Sequence, residues 1–153
     1  MTGSGNLTFR QTLRVLVLAG SSVILSACLR STEPQPSLLK LSGSWNYAGA
    51  ETGPARETLT GVLTISRVSG TAFQGRLDLT AVNEQTRQST LLSGLVSGSQ
   101  QGTDVIDFDA DVESVPRRHV GRIVADTITG TWVGASSDGI TSSGTFRAER
   151  KNN

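Results

Sequence analysis

Asp107, Asp109 and Asp111 alternate with Ile106, Phe108, Ala110 and Val112, so a strand would carry all three carboxylates on one face. With Asp104 and Glu113 close by, oxygen donors at this density suit calcium chemistry. Same-face carboxylates on a strand stand about 7 Å apart, however, too far for three to share one ion without loop ligands. The favoured reading is a solvated outer face, with Arg117, Arg118 and Arg122 on the next strand as cross-strand charge partners. His119 is the single histidine. It shares strand parity with Gly121 and Ile123, which points it toward an interior where it could act as a base. No G-x-S-x-G turn offers it a nucleophile, and a lone histidine is more often structural. Trp45 and Tyr47 are read on opposite faces, as core and rim rather than as a catalytic pair. One cysteine and one histidine exclude an internal disulfide, a cysteine-based zinc site and a multi-histidine site. No enzyme, metal or cofactor is expected.

The elements that would position these residues are strands. Residues 73–81 (FQGRLDLTA) and 106–112 (IDFDADV) alternate strictly between apolar or glycine and polar positions. No sustained helical stripe occurs after Lys40. A second pattern recurs, glycine, any residue, then a bulky apolar one: Gly43-Ser44-Trp45, Gly61-Val62-Leu63, Gly75-Arg76-Leu77, Gly94-Leu95-Val96, Gly121-Arg122-Ile123, Gly130-Thr131-Trp132 and Gly144-Thr145-Phe146. Two residues apart, the glycine and the bulky residue share a face, which suits the tight coiling of a closed barrel. A sandwich, with the glycines as bulges, is the alternative. Eight strands are predicted, over 43–48, 57–68, 72–82, 88–97, 104–112, 117–126, 127–133 and 141–150. Turn chemistry separates them at Gly53-Pro54, Ser69-Gly70, Asn83-Glu84, Gly98 to Gly102, Val115-Pro116 and Asp138-Gly139. Short links imply antiparallel neighbours, hence an all-β, up-and-down antiparallel barrel. Such a barrel is either filled by side chains or holds one small ligand. The moderate size of Leu63, Ile65, Phe73, Leu77, Leu79, Phe108, Ile123, Ile128, Trp132 and Phe146 leaves room for a partly open apolar cavity. Trp45, Phe73, Leu77, Phe108, His119 and Trp132 are the interior residues expected to touch a ligand.

Three segments follow in chain order: 1–27, 28–40 and a barrel domain over 41–153. Residues 1–14 lack acids and end in Arg14, and 15–25 (VLVLAGSSVIL) form an apolar run of signal-peptide length, too short and interrupted to span a bilayer comfortably. Leu25-Ser26-Ala27-Cys28 resembles the lipobox of bacterial lipoproteins. That resemblance implies cleavage between Ala27 and Cys28, lipidation of the Cys28 thiol, and stable anchoring by two or three acyl chains. Leu29 follows, not an aspartate, which favours the outer membrane facing the periplasm, or the outer face of the plasma membrane in a one-membrane cell. The LRSTEPQPSLLK segment, 29–40, reads as a tether. Without Arg10 and Arg14, the 14 Lys and Arg fall to 12 against 13 Asp and Glu, a formal charge of −1. Nothing there favours nucleic acid as a partner.

Gly43-Ser44-Trp45 at the first strand resembles the G-x-W opening of the calycins, which include lipocalins and avidins. In those families a basic residue near the last strand often covers that tryptophan, a part open to Arg147 or Arg150 by cation–π contact. The resemblance spans roughly 43–150 and implies architecture only; an avidin-like biotin site uses several tryptophans, and only Trp45 and Trp132 are present. A membrane-anchored barrel binding a small apolar ligand or lipid is the leading expectation. An envelope-assembly module meeting a protein partner through its outer surface is the alternative.

Overall fold

The computed structural model describes residues 40–53, 56–113, 115–135 and 141–152. Ala27, Cys28, the leader and the tether as far as residue 39 lie outside the described residues. Alternating β-branched and small residues form eight strands: β1 (Gly43–Glu51), β2 (Glu57–Ser69), β3 (Ala72–Asn83), β4 (Ser89–Gln101), β5 (Val105–Val112), β6 (Val115–Val124), β7 (Thr127–Ala135) and β8 (Thr141–Arg150). Each pairs antiparallel with its sequence neighbour, and β8 returns to β1 from Trp45↔Arg150 to Glu51↔Gly144. The barrel is closed. Closure leaves no unpaired sheet edge, which a sandwich would have kept.

Inward glycines permit the coiling. A Cβ at Gly61 would collide with the carbonyl oxygen of Asp78 across the β2–β3 ladder, and one at Gly144 with that of Ala50. Between them the bulky partners fill the interior: Trp45, Leu59, Leu63, Ile65, Phe73, Leu77, Ile106, Phe108, Ile128, Trp132 and Phe146 are all buried. Each such side chain contributes about 1.5–3 kcal/mol of hydrophobic stabilisation.

Several strand ends shift, β1 running on to Glu51 and β7 to Ala135, and three boundaries change where the chain turns. β4 runs through Gly98 to Gln101, and its hairpin turns at Gly102 (φ 63°). Gln100 inside that stretch is buried, its side-chain amide donating to the carbonyls of Gly102 and Thr103 at 3.2 Å each. Val115-Pro116 is strand rather than turn: the chain bends just before it, at Glu113 (φ 52°), and Pro116 pairs with Asp111. β6 stops at Val124, with Ala125 left-handed (φ 53°) leading the turn into β7. Proline and glycine marked turns that the ladder overrode, because continued pairing satisfied more backbone groups than an earlier bend.

The chain enters at Lys40 beside the β6–β7 turn and leaves after Arg150, both at one end of the barrel. Glu51, the start of β6 and the start of β8 mark the opposite end, called the mouth below.

Candidate functional site

At the entry end Trp45 forms a plug. Its indole N–H donates to the Leu41 carbonyl at 3.0 Å, and the Arg150 guanidinium lies 4.2 Å over its ring. Arg150 in turn donates to the carbonyls of Ser42 (3.1 Å) and Lys40, and to Asp126 (2.8 Å). Arg150, not Arg147, covers the tryptophan; Arg147 points outward and pairs with Glu149. One-residue alternation decides this, since Arg150 lies opposite Trp45 in the β1–β8 register.

Trp45 and Tyr47 both point inward, which corrects their expected placement on opposite faces. Residues two apart on a strand share a face. Tyr47 belongs to a layer of rings at the waist with Phe108, His119 and Phe146. Phe108 stacks on His119 (4.4 Å between centroids, 7° between planes), and Tyr47 stacks on Phe146 (5.6 Å, 4°). Phe146 meets His119 and Phe108 edge-on, and Phe73 meets Phe108 the same way. The Tyr47 hydroxyl lies 3.2 Å from His119 Nε2, while His119 Nδ1 is 2.9 Å from the Arg117 carbonyl. An Nδ1–H donated to that carbonyl leaves Nε2 to accept from the tyrosine, so both ring nitrogens are satisfied with the ring neutral. Burial lowers the His119 pKa to about 4, helped by the nearby Arg117 charge and opposed by its bond to the Arg117 carbonyl. Burial also drives the Tyr47 hydroxyl well above its ordinary value. A neutral imidazole and a neutral phenol, held between rings, have no nucleophile beside them in these contacts.

Above the rings, at the mouth, Arg117 turns inward over Trp132, its guanidinium carbon 4.8 Å from the ring centroid. This corrects the expectation that Arg117 joins Arg118 and Arg122 on the outer face. Those two do pair outward, Arg118 with Asp107 and Arg122 with Asp104. Arg117 shares parity with His119, which already signalled the inward face; the expected turn at Pro116 hid it. Its cross-strand neighbours on the inner face are Ala110 and Gly134, both small. Nε and Nη1 of Arg117 and Nε1 of Trp132 are buried and have no hydrogen-bond partner among the described residues. Nearby Glu51 is nearly buried, and burial together with Glu57 raises its carboxyl pKa, with Arg117 opposing.

The six residues expected to touch a ligand (Trp45, Phe73, Leu77, Phe108, His119 and Trp132) are all interior and all buried. The barrel separates them by height. Trp45 belongs to the entry plug, Phe108 and His119 to the waist, and Trp132 to the mouth. Arg117, Glu51, Tyr47 and Phe146 complete the arrangement and were not singled out from the sequence as ligand contacts.

With this geometry in hand, comparison with known proteins adds the fold. No protein-family model matches the chain, and no curated protein matches it in sequence. Solved structures do match in shape. EF1p2_mFAP2b bound to DFHBI superposes with a TM-score of 0.62 at 12% identity, over 72% of this chain and 94% of that one. A redesigned β-barrel, mFAP1, also bound to DFHBI, gives 0.54 at 17% identity over 72% and 94%. A Bacteroides ovatus protein of unknown function gives 0.51 at 12% identity, over 72% of this chain and 42% of that one. The shared fold is a closed, eight-stranded antiparallel barrel. At these identities the likeness extends to architecture alone.

Proposed function

We propose that this chain is a non-catalytic, lipid-anchored envelope protein whose barrel binds one small molecule through its mouth. The observation that carries the binding reading is the asymmetry of the interior. At the entry end Trp45 has its N–H satisfied and Gln100 Oε1 is the buried side-chain atom left without a partner, whereas the mouth buries three nitrogen donors with no partner among the described residues. Buried donors of this kind cost about 1–3 kcal/mol each unless something accepts from them. In this reading a ligand admitted at the mouth supplies the acceptor. The DFHBI complexes of two similar barrels are consistent with a ligand in an eight-stranded barrel.

The anchor rests on Leu25-Ser26-Ala27-Cys28 and the leader before it. The outer membrane, facing the periplasm, is its proposed site. Native mass spectrometry of the protein purified from its host envelope tests the binding. A small molecule that leaves on denaturation supports it, and repeated preparations without one sink it. Replacing Cys28 by Ser should release or mislocalise the protein; normal processing and membrane retention of the variant would remove the anchor.

A second reading has its own observation. Leu91 and Leu95 on the outer face of β4 are 77% and 70% exposed, a surface that a protein partner in the envelope could cover.

A further inference from the structure

We propose that the entry end of the barrel is a docking face for anionic lipid headgroups, so that the anchored protein stands with its mouth turned away from the membrane. The inference rests on the lipid-anchor reading above and adds which face of the domain meets the lipid, and through what charge. Of the 14 Lys and Arg in the chain, Lys40 and Lys151 are the only lysines. Both are exposed and both lie at the entry end, one just before β1 and the other just after β8. The Lys151 main-chain N–H donates to the Ser44 carbonyl at 2.8 Å, which fixes that residue beside the start of β1. The up-and-down order brings the tips of the β2–β3, β4–β5 and β6–β7 hairpins to the same end. Exposed Arg67, two residues from the end of β2, comes with them.

The entry rim thus carries Lys40, Arg67, Arg122, Arg150 and Lys151 against Asp104 and Asp126. Arg122 pairs with Asp104, and Arg150 with Asp126. Lys40, Arg67 and Lys151 have no acid partner among the described residues, so three cations stand uncompensated. The mouth rim has the opposite sign. Among the described residues it sets Glu51, Glu57, Glu84, Asp111 and Glu113 against Arg56, Arg87 and Arg117. A barrel polarised along its axis turns its positive end toward an anionic surface. Three cations within a Debye length of such a surface favour contact by about a hundredfold. Lysine suits the task, since its flexible stem carries a compact charge into the headgroups. Val68 and Val124, exposed near the ends of β2 and β6, add two apolar points to the same rim. The anchor favours this end as well. Lys40 lies twelve residues after Cys28, so lipid on that thiol is at most about 40 Å away along the chain. The chain therefore joins the barrel where the free cations are, and the acids of the mouth lie at the far end.

The two lysines make the face readable by amine chemistry. Protein purified with its anchor from the host envelope is added to preformed vesicles, either phosphatidylcholine alone or phosphatidylcholine with phosphatidylglycerol. N-hydroxysuccinimidyl acetate, which is uncharged and repelled by neither surface, acylates exposed amines, and mass spectrometry reads Lys40 and Lys151 separately. Both are expected to react at least about fivefold more slowly on the anionic vesicles, and high salt should restore them. Arg56 and Arg87, at the mouth, should react with phenylglyoxal equally on both. Arg67→Glu leaves both lysines in place and alters only an exposed position, so it should return much of their reactivity on the anionic vesicles. The comparison of vesicles on the unaltered protein holds even if that variant fails to fold. Equal lysine reactivity on the two vesicles, protection that Arg67→Glu leaves unchanged, or protection of Arg56 and Arg87 in place of the lysines each overturns the inference. Flotation separates its failure from that of the anchor, because neutral vesicles hold the protein through lipid alone. Flotation with neutral vesicles together with equal lysine reactivity keeps the anchor and removes the docking face. Flotation with anionic vesicles only removes the anchor and supports the docking face, and flotation with neither removes both.

Discussion

The two ends of the barrel are built from the same pair of side chains and do opposite things with them. At the entry end Arg150 lies over Trp45; at the mouth Arg117 lies over Trp132. Trp45 donates to a main-chain carbonyl of the segment just before β1, and Arg150 reaches two more carbonyls and Asp126. Among the described residues, Nε and Nη1 of Arg117 and Nε1 of Trp132 find no acceptor. The difference lies in what chain runs past. The residues preceding β1 cross the entry end and offer their carbonyls, and no described segment offers an acceptor at the mouth. The same cation–π pair therefore has its donors satisfied at one end and free at the other.

Acid should break this symmetry most strongly, because His119 sits on the mouth side, bonded to the Arg117 carbonyl. Its folded pKa, about 4, lies below the ordinary histidine value of 6.5. The unfolded chain therefore binds the extra proton first as the pH falls. The contribution of neutral His119 is complete above pH 6.5, is lost progressively down to about pH 4, and changes no further below. The total loss is about 3 kcal/mol. Urea unfolding from pH 7 to 4 should show it, and His119→Gln should flatten that part of the slope. Hydrogen exchange should report earlier loss of protection in the mouth halves of β6 and β7 than around Trp45.

Arginine removal should separate the ends next. Arg150→Ala strands carbonyls and uncovers Trp45, at a cost of about 2 kcal/mol in chemical unfolding. Arg117→Met removes unpaired buried donors while keeping the stem against Trp132, and should be neutral or stabilising without ligand. Equal losses at both ends would break the comparison. The indoles give a smaller contrast: Trp45→Phe should cost about 1 kcal/mol more than Trp132→Phe, since only Trp45 gives up a hydrogen bond. Smallest is Glu51→Gln. Glu51 has a raised pKa, so its charged form is disfavoured in the fold above that pKa. The amide should modestly raise the urea midpoint at pH 7, and the gain should vanish as acid protonates the native carboxyl.

Much of this was legible beforehand. Strict alternation in FQGRLDLTA and IDFDADV put Phe73, Leu77 and Phe108 inside, and period two admits no other face once one side is buried. The glycine-x-bulky pattern pointed to closure because a strand can coil past its neighbour only where a Cβ is missing. Arg117 escaped attention for a local reason. Val115-Pro116 looked like a turn, and a residue just after a turn has no assured face.

The residue pattern alone thus determined the all-β class, the number of strands and most of the inward set, Tyr47 and Arg117 excepted, since these follow from periodicity and from which residues water rejects. The calycin resemblance narrowed the cover of Trp45 to Arg147 or Arg150, and nothing in the sequence paired Arg117 with Trp132. Only the closed barrel decided that Arg150 meets Trp45 and Arg117 meets Trp132. Those partners lie 105 and 15 residues apart in chain numbering, and register across β8–β1 and across β6–β7 brings them together. Whether a buried donor has an acceptor depends on which backbone passes within 3 Å of it, and that is a property of the assembled barrel.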